Sequence, residues 1–131
     1  MKIVLDTNVL LAAYASQGLC AEILEWCLRK HVLVFSPFIL AEFKDKLTGK
    51  FHFPVHQAKQ LIIDLKKECV LVDDRPLHVP HLRDKTDAPI VAAALAANAD
   101  IIVSGDKDLL DLGAYRYIKI LSPRQFVQRY L

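Results

Sequence analysis

Short apolar runs alternate with longer amphipathic segments along almost the whole chain, and this alternation constrains the fold most strongly. The runs have the length and composition of buried strands, and helical patterns lie between them. The five expected strands are Lys2–Leu5, Val32–Phe35, Val70–Val72, Asp100–Val103 and Ile118–Leu121. Strands that alternate with helices pair in parallel and carry helices on both faces. The sequence therefore predicts a three-layer α/β/α fold with a central parallel sheet.

Local signals predict where several helices begin. Ser36-Pro37 and Ser122-Pro123 each combine an N-cap residue with a proline at the first helical position. Thr7 or Asn8 is expected to cap the helix that follows the first strand. The sequence contains 131 residues, 53% of them hydrophobic, without a linker or an internal repeat. Residues 1–131 are therefore expected to form a single domain with its own core.

Charge and composition limit the possible functions. The net charge is only +2, from 17 basic and 15 acidic residues, so overall charge does not indicate nucleic-acid binding. The three cysteines form no metal or redox motif, which is typical of reduced thiols in a cytosolic protein. The longest apolar run, Ala88–Ala97, is far shorter than the roughly 20 residues that span a bilayer. The expected location is the cytoplasm, without membrane attachment.

Four acidic residues lie where the chain leaves a hydrophobic element: Asp6, Glu42, Asp87 and Asp106. Two of them, Asp6 and Asp106, lie just past the carboxyl ends of strands, at the edge where parallel sheets bind ligands. Carboxylates roughly 5 Å apart repel each other by about 3 kcal/mol at an effective dielectric near 20. A fold tolerates such a cluster when protons or a divalent cation occupy it. The sequence therefore predicts a shared metal site.

Each of these residues also has a simpler interpretation. Asp6 could serve only as a helix cap, Asp87 as a charge at a helix start, Asp106 as a turn residue, and Glu42 as a side chain that reaches solvent. Four neighbouring residues are interpreted either as supports of the site or as caps and rim residues: Asn8, Ser104, Asp84 and Asp108. The convergence of all four acidic residues at one sheet edge favours the metal site.

Four motifs in this order resemble the PIN-domain nucleases, and among them the VapC-like toxins of toxin–antitoxin pairs. The motifs are Asp6-Thr7-Asn8-Val9, Glu42 in the helix after Ser36-Pro37, the segment from Thr86 to Ala94, and Ser104-Gly105-Asp106-Lys107-Asp108. The resemblance covers Lys2 to about Phe126. Many relatives are more acidic where this chain has Asp84-Lys85-Thr86-Asp87. Either Asp84 or Asp87 could be the ligand there, and the helical face favours Asp87.

The resemblance implies a five-stranded parallel sheet of order 3-2-1-4-5 and a Mg²⁺- or Mn²⁺-dependent ribonuclease. In the implied site Asp6, Asp87 and Asp106 hold the ion, while Glu42 orients or deprotonates the attacking water or completes a second metal site. Single-stranded or looped RNA, an antitoxin protein and a second copy of the chain are the expected partners. Five cations could follow the RNA backbone or could simply be surface charges: Lys44, Lys46, Arg83, Lys85 and Lys107.

Three other functions fit parts of the pattern. The first is a catalytically weak PIN scaffold that binds a partner, and the second is a DNA-cleaving relative. The third is a receiver domain of a response regulator, which also has an acidic Mg²⁺ pocket. A receiver domain requires a lysine at the end of its last strand, whereas the last strand here ends in Leu121-Ser122-Pro123. Cleavage of labelled RNA and DNA with Mn²⁺ or with EDTA separates the first two from a ribonuclease.

Overall fold

The structure is a computed structural model that describes residues 1–73 and 87–131. The strands in this part of the chain are β1 (Lys2–Leu5), β2 (Val32–Phe35), β3 (Val70–Leu71), β4 (Ile101–Val103), β5 (Ala114–Tyr115) and β6 (Ile118–Leu121). The helices are α1 (Thr7–Ala15), α2 (Leu19–Lys30), α3 (Pro37–Gly49), α4 (Val55–Glu68), α5 (Ala88–Ala96), α6 (Lys107–Leu112) and α7 (Pro123–Tyr130).

The described strands form one sheet of order β3-β2-β1-β4-β6-β5. The predicted strands appear in the predicted order and pair in parallel, which confirms the α/β fold class. The prediction of five strands was wrong by one, because β5 adds a short antiparallel strand at the edge beside β6. A two-residue strand has no apolar run of its own, so its pairing depends on the chain reversal that follows Tyr115.

Helices cover the sheet on both faces. Connections from β1 to β2 to β3 and from β3 to β4 to β6 move in opposite directions along the sheet, so right-handed crossovers place their helices on opposite faces. On one face α1 packs against α2 and α3, α3 against α4, and α2 against α7. On the other face α5 packs across β1, β2 and β4. The three central strands are consequently buried and almost entirely aliphatic.

The connection order reverses between β1 and β4, the two neighbouring strands at the centre of the sheet. Beyond the carboxyl ends of these strands the chain turns into α1 and α6, respectively. Such a switch point leaves a crevice between diverging connections, and ligands of open α/β sheets bind there. The residues that follow β1 and β4 are therefore the first place to look for a functional site.

Candidate functional site

A serine hydroxyl joins the two loops at the switch point. Ser104 follows β4 and is completely buried. Its Oγ donates a hydrogen bond to Asp6 Oδ2 over 2.6 Å, and it accepts one from the backbone N–H of Asp106 over 2.9 Å. The backbone N–H of Asp6 also donates to the carbonyl oxygen of Val103, at 2.9 Å. Two segments almost a hundred residues apart in sequence are thereby held in a fixed relation.

Asp6 is a buried carboxylate, with only 7% of its surface exposed. Burial raises the pKa of Asp6 above its ordinary value of 3.8, and the nearby carboxylates of Asp106 and Glu42 raise it further. Hydrogen bonds from Ser104 and from the backbone N–H of Thr7 act in the opposite direction. Asp6 is the N-cap of α1, which was its simpler interpretation from sequence, and the cap expected at Thr7 or Asn8 was wrong. Capping and proximity to other acidic groups therefore coexist in one residue.

Three further carboxylates gather at the same edge of the sheet. Ligand oxygens of Asp87, Asp106 and Asp108 all lie within 4.8 Å of one another. Asp87 is buried at the start of α5, while Asp106 and Asp108 are partly exposed at the start of α6. Asp106 Oδ1 accepts hydrogen bonds from the backbone N–H groups of Asp108, at 2.8 Å, and Leu109, at 3.4 Å. These bonds leave the second oxygen of Asp106 for another ligand.

The three-carboxylate group fits a hard divalent cation. Oxygens bound to one Mg²⁺ lie at most about 4.2 Å apart, so small side-chain rotations bring the group within that limit. An all-oxygen, negatively charged donor set is the type that Mg²⁺ and Mn²⁺ prefer. Asp6 lies outside this group but is connected to Asp106 through Ser104. The ligand set expected from sequence was Asp6, Asp87 and Asp106. In the structure Asp108 takes the place of Asp6 in the group of three carboxylates.

Glu42 lies on α3, close enough to raise the pKa of Asp6. Its side chain is 30% exposed, so it lies at the edge of the buried face and not within the core. The Glu42 carboxylate also pairs with the ammonium group of Lys46 one turn later, at 4.0 Å. Such an exposed pair is weak and breaks readily. The carboxylate can therefore exchange this partner for water or substrate.

The other residues singled out by sequence are spread around the site. Asn8 and Lys107 are exposed beside Thr7 and Asp106, respectively. Lys46 pairs with Glu42, whereas Lys44 lines a groove between α3 and α4. Arg83, Asp84 and Lys85 lie outside the described residues, so their roles stay predictions.

Sequence reasoning interpreted Asp108 as a support of the site or as a cap, and not as one of the metal ligands. The available signal was the spacing of Asp106 and Asp108, two residues apart at a helix start, where both side chains remain near the first turn. The sequence did not reveal that Ser104 bridges Asp6 and Asp106, because this geometry depends on how β1 and β4 pair.

No described helix is long and apolar enough to cross a membrane.

The largely parallel sheet, the helices on its faces and the carboxylates at its switch point define an α/β protein whose donor set fits a divalent metal ion. A family model described as the PIN domain matches residues 2–108. The chain belongs to the PIN-domain family, whose members are generally nucleases. The family resemblance expected from the four motifs is thus confirmed.

Solved structures agree with this assignment at the level of the fold. A chain in the crystal structure of VapBC2 from Rickettsia felis bound to a DNA fragment from their promoter matches with a TM-score of 0.65 and 15% identity. That match covers 93% of this chain and 98% of the other. A chain of VapBC-1 from nontypeable Haemophilus influenzae matches with a TM-score of 0.62 and 17% identity, over 95% and 99% of the two chains. None of the curated proteins compared with the chain is significantly similar.

Proposed function

We propose that this protein is a Mg²⁺- or Mn²⁺-dependent ribonuclease that acts as the toxin of a toxin–antitoxin pair. The observation that carries the proposal is the group formed by Asp87, Asp106 and Asp108 at the switch point, with Asp6 joined to it through Ser104. Membership of the PIN-domain family and the fold shared with chains of VapBC structures support it. We further propose that the chain is a single domain located in the cytoplasm. Its free cysteines are typical of that compartment.

The acidic residues have separate tasks in this proposal. The ion would be held by three carboxylates, those of Asp87, Asp106 and Asp108. The buried carboxylate of Asp6 would add negative charge near them. A bound divalent cation lowers the pKa of water and neutralises charge on a phosphodiester. Glu42, which is partly exposed near Asp6, would accept a proton from the attacking water, whose oxygen forms a new bond to phosphorus. The bond from phosphorus to the leaving sugar oxygen breaks, and that oxygen takes a proton from solvent. Lys107 is exposed between two of the acids and attracts the phosphate backbone.

Cleavage of labelled single-stranded RNA with Mn²⁺ tests the activity, with EDTA and with DNA of the same sequence as comparisons. Asp106→Asn and Glu42→Gln should each lower the rate by at least about 100-fold, the scale of general acid–base and electrostatic contributions. Asp111→Asn on α6 and Asp45→Asn on α3 are matched controls, since both residues are exposed and lie outside the carboxylate group. Equal cleavage by Asp106→Asn and Asp111→Asn would refute the proposed site.

Two other outcomes select the alternatives. Cleavage of DNA in preference to RNA would make the protein a DNA-cleaving relative. A folded protein that binds metal but cleaves neither nucleic acid would be a partner-binding scaffold. The antitoxin and the homodimer through the early helices are separate proposals, tested by co-purification with the product of an adjacent gene and by the molar mass in solution.

A further inference from the structure

We propose that β6 and α7 form a nucleotide-binding subsite that holds single-stranded RNA beside the carboxylate group. A pocket of about 430 Å³ lies at this place, lined by Leu121, Gln125, Gln128 and Arg129. Its volume falls within the range of about 300–1,000 Å³ that is usual for small-ligand sites. The choice of RNA as the ligand rests on the proposed function, whereas the existence of the pocket does not.

The charge of the last part of the chain favours an anionic ligand. Residues 112–131 contain no acidic side chain, and their four cations are Arg116, Lys119, Arg124 and Arg129. The 17 basic residues of the chain less these four leave 13, against 15 acidic residues, in residues 1–111. The small net charge of the whole chain therefore conceals a positive segment made of β5, β6 and α7. Such a segment attracts the phosphates of a nucleic acid.

The polar residues of α7 share the solvent side of the helix. Phe126 is fully buried, and its ring centroid lies 5.3 Å from that of Tyr130, so these two rings hold the inner side against the core. Positions 124, 125, 128 and 129 have the spacing of neighbours on adjacent helical turns, and all four are exposed. Two guanidinium groups and two amides therefore lie together on the outer side of α7.

The groups that line the pocket have hydrogen-bonding capacity that the protein leaves unused. Gln125 Oε1 accepts a hydrogen bond from the backbone N–H of Ser122 over 2.9 Å, which leaves its amide NH₂ group for another acceptor. Within the described part of the chain, the side chains of Gln128 and Arg129 form no hydrogen bond or ion pair. A guanidinium binds a phosphate through two parallel N–H bonds, and amides pair with the edges of bases. These groups complement the phosphate and the base of one nucleotide.

The pocket begins one strand away from the proposed active site. Leu121 ends β6, and its carbonyl oxygen accepts a hydrogen bond from the backbone N–H of Ser104 over 3.0 Å. Ser104 in turn contacts Asp6 and the backbone of Asp106. Neighbouring strands lie roughly 5 Å apart. An RNA strand bound at the carboxylate group extends in two directions, and the pocket lies along the direction that crosses β6.

The polar character of the pocket favours RNA over a protein partner. Protein interfaces are centred on apolar anchors, whereas nucleic-acid interfaces are more polar and more basic. Among the described residues that line the pocket, only Leu121 is apolar. An acidic protein segment is the competing occupant, since it would also be attracted by Arg124 and Arg129.

The first test measures the binding of a labelled RNA of about 12 nucleotides by fluorescence anisotropy. The protein carries Asp106→Asn and EDTA is present, so that cleavage plays no part. Arg129→Ala should weaken binding about tenfold and lower the slope of log K against log salt by about 0.7, the value of one phosphate contact on a single strand. Arg129→Lys should keep the slope but not the full affinity, because it keeps the charge and loses the paired N–H bonds.

Matched controls separate the pocket from general surface charge. Arg29→Ala on α2 should change neither the affinity nor the slope, since Arg29 is exposed and does not line the pocket. Gln128→Ala should change the preference among oligo(A), oligo(C), oligo(G) and oligo(U) by at least about fivefold at an unchanged slope, because an amide contacts a base and carries no charge. Gln57→Ala on α4 is its control, since Gln57 is also exposed and outside the pocket. All variants should melt at the temperature of the Asp106→Asn parent.

Two results would overturn the subsite. The first is equal affinity and equal salt slope for Arg129→Ala and Arg29→Ala. The second is displacement of the RNA by poly-glutamate at an equal concentration of charge, which would assign the pocket to an acidic protein segment.

Failure of the proposed nuclease function gives a different result. A protein that cleaves RNA equally well with Arg129→Ala and Arg29→Ala, and binds it equally well, retains the nuclease function and loses the subsite. A protein that binds RNA through Arg129 but cleaves no nucleic acid retains the subsite and loses the nuclease function.

Discussion

At the scale of single residues, Asp6 links the stability of the fold to pH. Its pKa is raised mainly by burial, so the folded protein binds this proton more tightly than the unfolded chain does. Stability contributed through Asp6 is therefore lost as the pH rises from the unfolded pKa, near 3.8, through the higher folded pKa. Without metal, the ionised carboxylate destabilises the fold at neutral pH.

Replacement of this carboxylate gives the first prediction. Asp6→Asn removes the charge, and we expect its melting temperature in EDTA at pH 7 to exceed that of the natural protein, because burial disfavours the charged form of Asp6. The difference should shrink as the pH approaches 4, since Asp6 itself then becomes protonated. Differential scanning fluorimetry over this pH range measures it, with Asp111→Asn as the control. A difference that is independent of pH would contradict the role assigned to burial.

Ser104 gives the second prediction, because its hydroxyl contacts both Asp6 and the backbone of Asp106. Ser104→Ala removes both hydrogen bonds and should weaken metal-dependent cleavage about 10- to 100-fold, the usual effect of losing a residue that orients metal ligands. Titration of the cleavage rate with Mn²⁺ should show a higher metal concentration at half-maximal activity. Ser104→Thr keeps the hydroxyl and should restore most of the affinity, whereas an equal defect in both variants would indicate a packing role only.

At the scale of elements, local signals predicted more of the structure than long-range ones could. The bounds of β1, β2 and β6 agree with the sequence expectation. Ser122 forms the expected cap of α7, with a capping box completed by Gln125. The short strand β5 was missed because a two-residue strand exists only through its pairing with β6. Apolar periodicity within one segment carries no information about such pairing.

The same limit explains which parts of the site were foreseen. Asp6, Asp87 and Asp106 follow or precede recognisable elements, so topology alone placed them at one edge of the sheet. The inclusion of Asp108 depends on side-chain directions in the first turn of α6, which periodicity does not determine. Lys44, Lys59 and Lys66 line the groove between α3 and α4. The sequence did not single them out together, because their proximity depends on the packing of two helices.

Helix α6 supports the third prediction, because Asp106 serves both as its cap and as a proposed metal ligand. Asp106→Asn keeps an oxygen that accepts from the backbone of Asp108 and Leu109, whereas Asp106→Ala does not. In EDTA the alanine variant should be less stable than the asparagine variant by about 1 kcal/mol, the typical value of an N-cap. Urea denaturation measures the difference, and equal stability of the two variants would show that the cap contributes nothing. Both variants should lack nuclease activity.

At the scale of the whole molecule, the acidic group joins segments that follow different parts of the sheet. Asp87 begins α5, while Asp106 and Asp108 begin α6 after β4. Repulsion between these carboxylates opposes the approach of the segments. The loss of solvation at the buried carboxylate of Asp6 further lowers the free energy of unfolding. The aliphatic core formed by the central strands, α1 and α5 supplies the opposing free energy. A cation bound only by the folded protein therefore stabilises the entire domain.

Metal binding is thus expected to raise the melting temperature of the protein. At a concentration 100 times the dissociation constant, a ligand of the folded state adds about 2.7 kcal/mol, which corresponds to roughly 8 °C for a domain of this size. Mg²⁺ or Mn²⁺ should produce this rise, whereas NaCl at equal ionic strength should produce much less, because it only screens the charges.

Two variants then distinguish the ligand sets, since Asp108→Asn should blunt the rise strongly if Asp87, Asp106 and Asp108 hold the ion. Asp6→Asn should reduce it less, because Asp6 lies outside that group. The reverse order of effects would restore the ligand set expected from sequence, in which Asp6 binds the ion directly. A rise that NaCl reproduces, or that Asp111→Asn and Asp108→Asn share equally, would eliminate specific metal binding at this edge of the sheet.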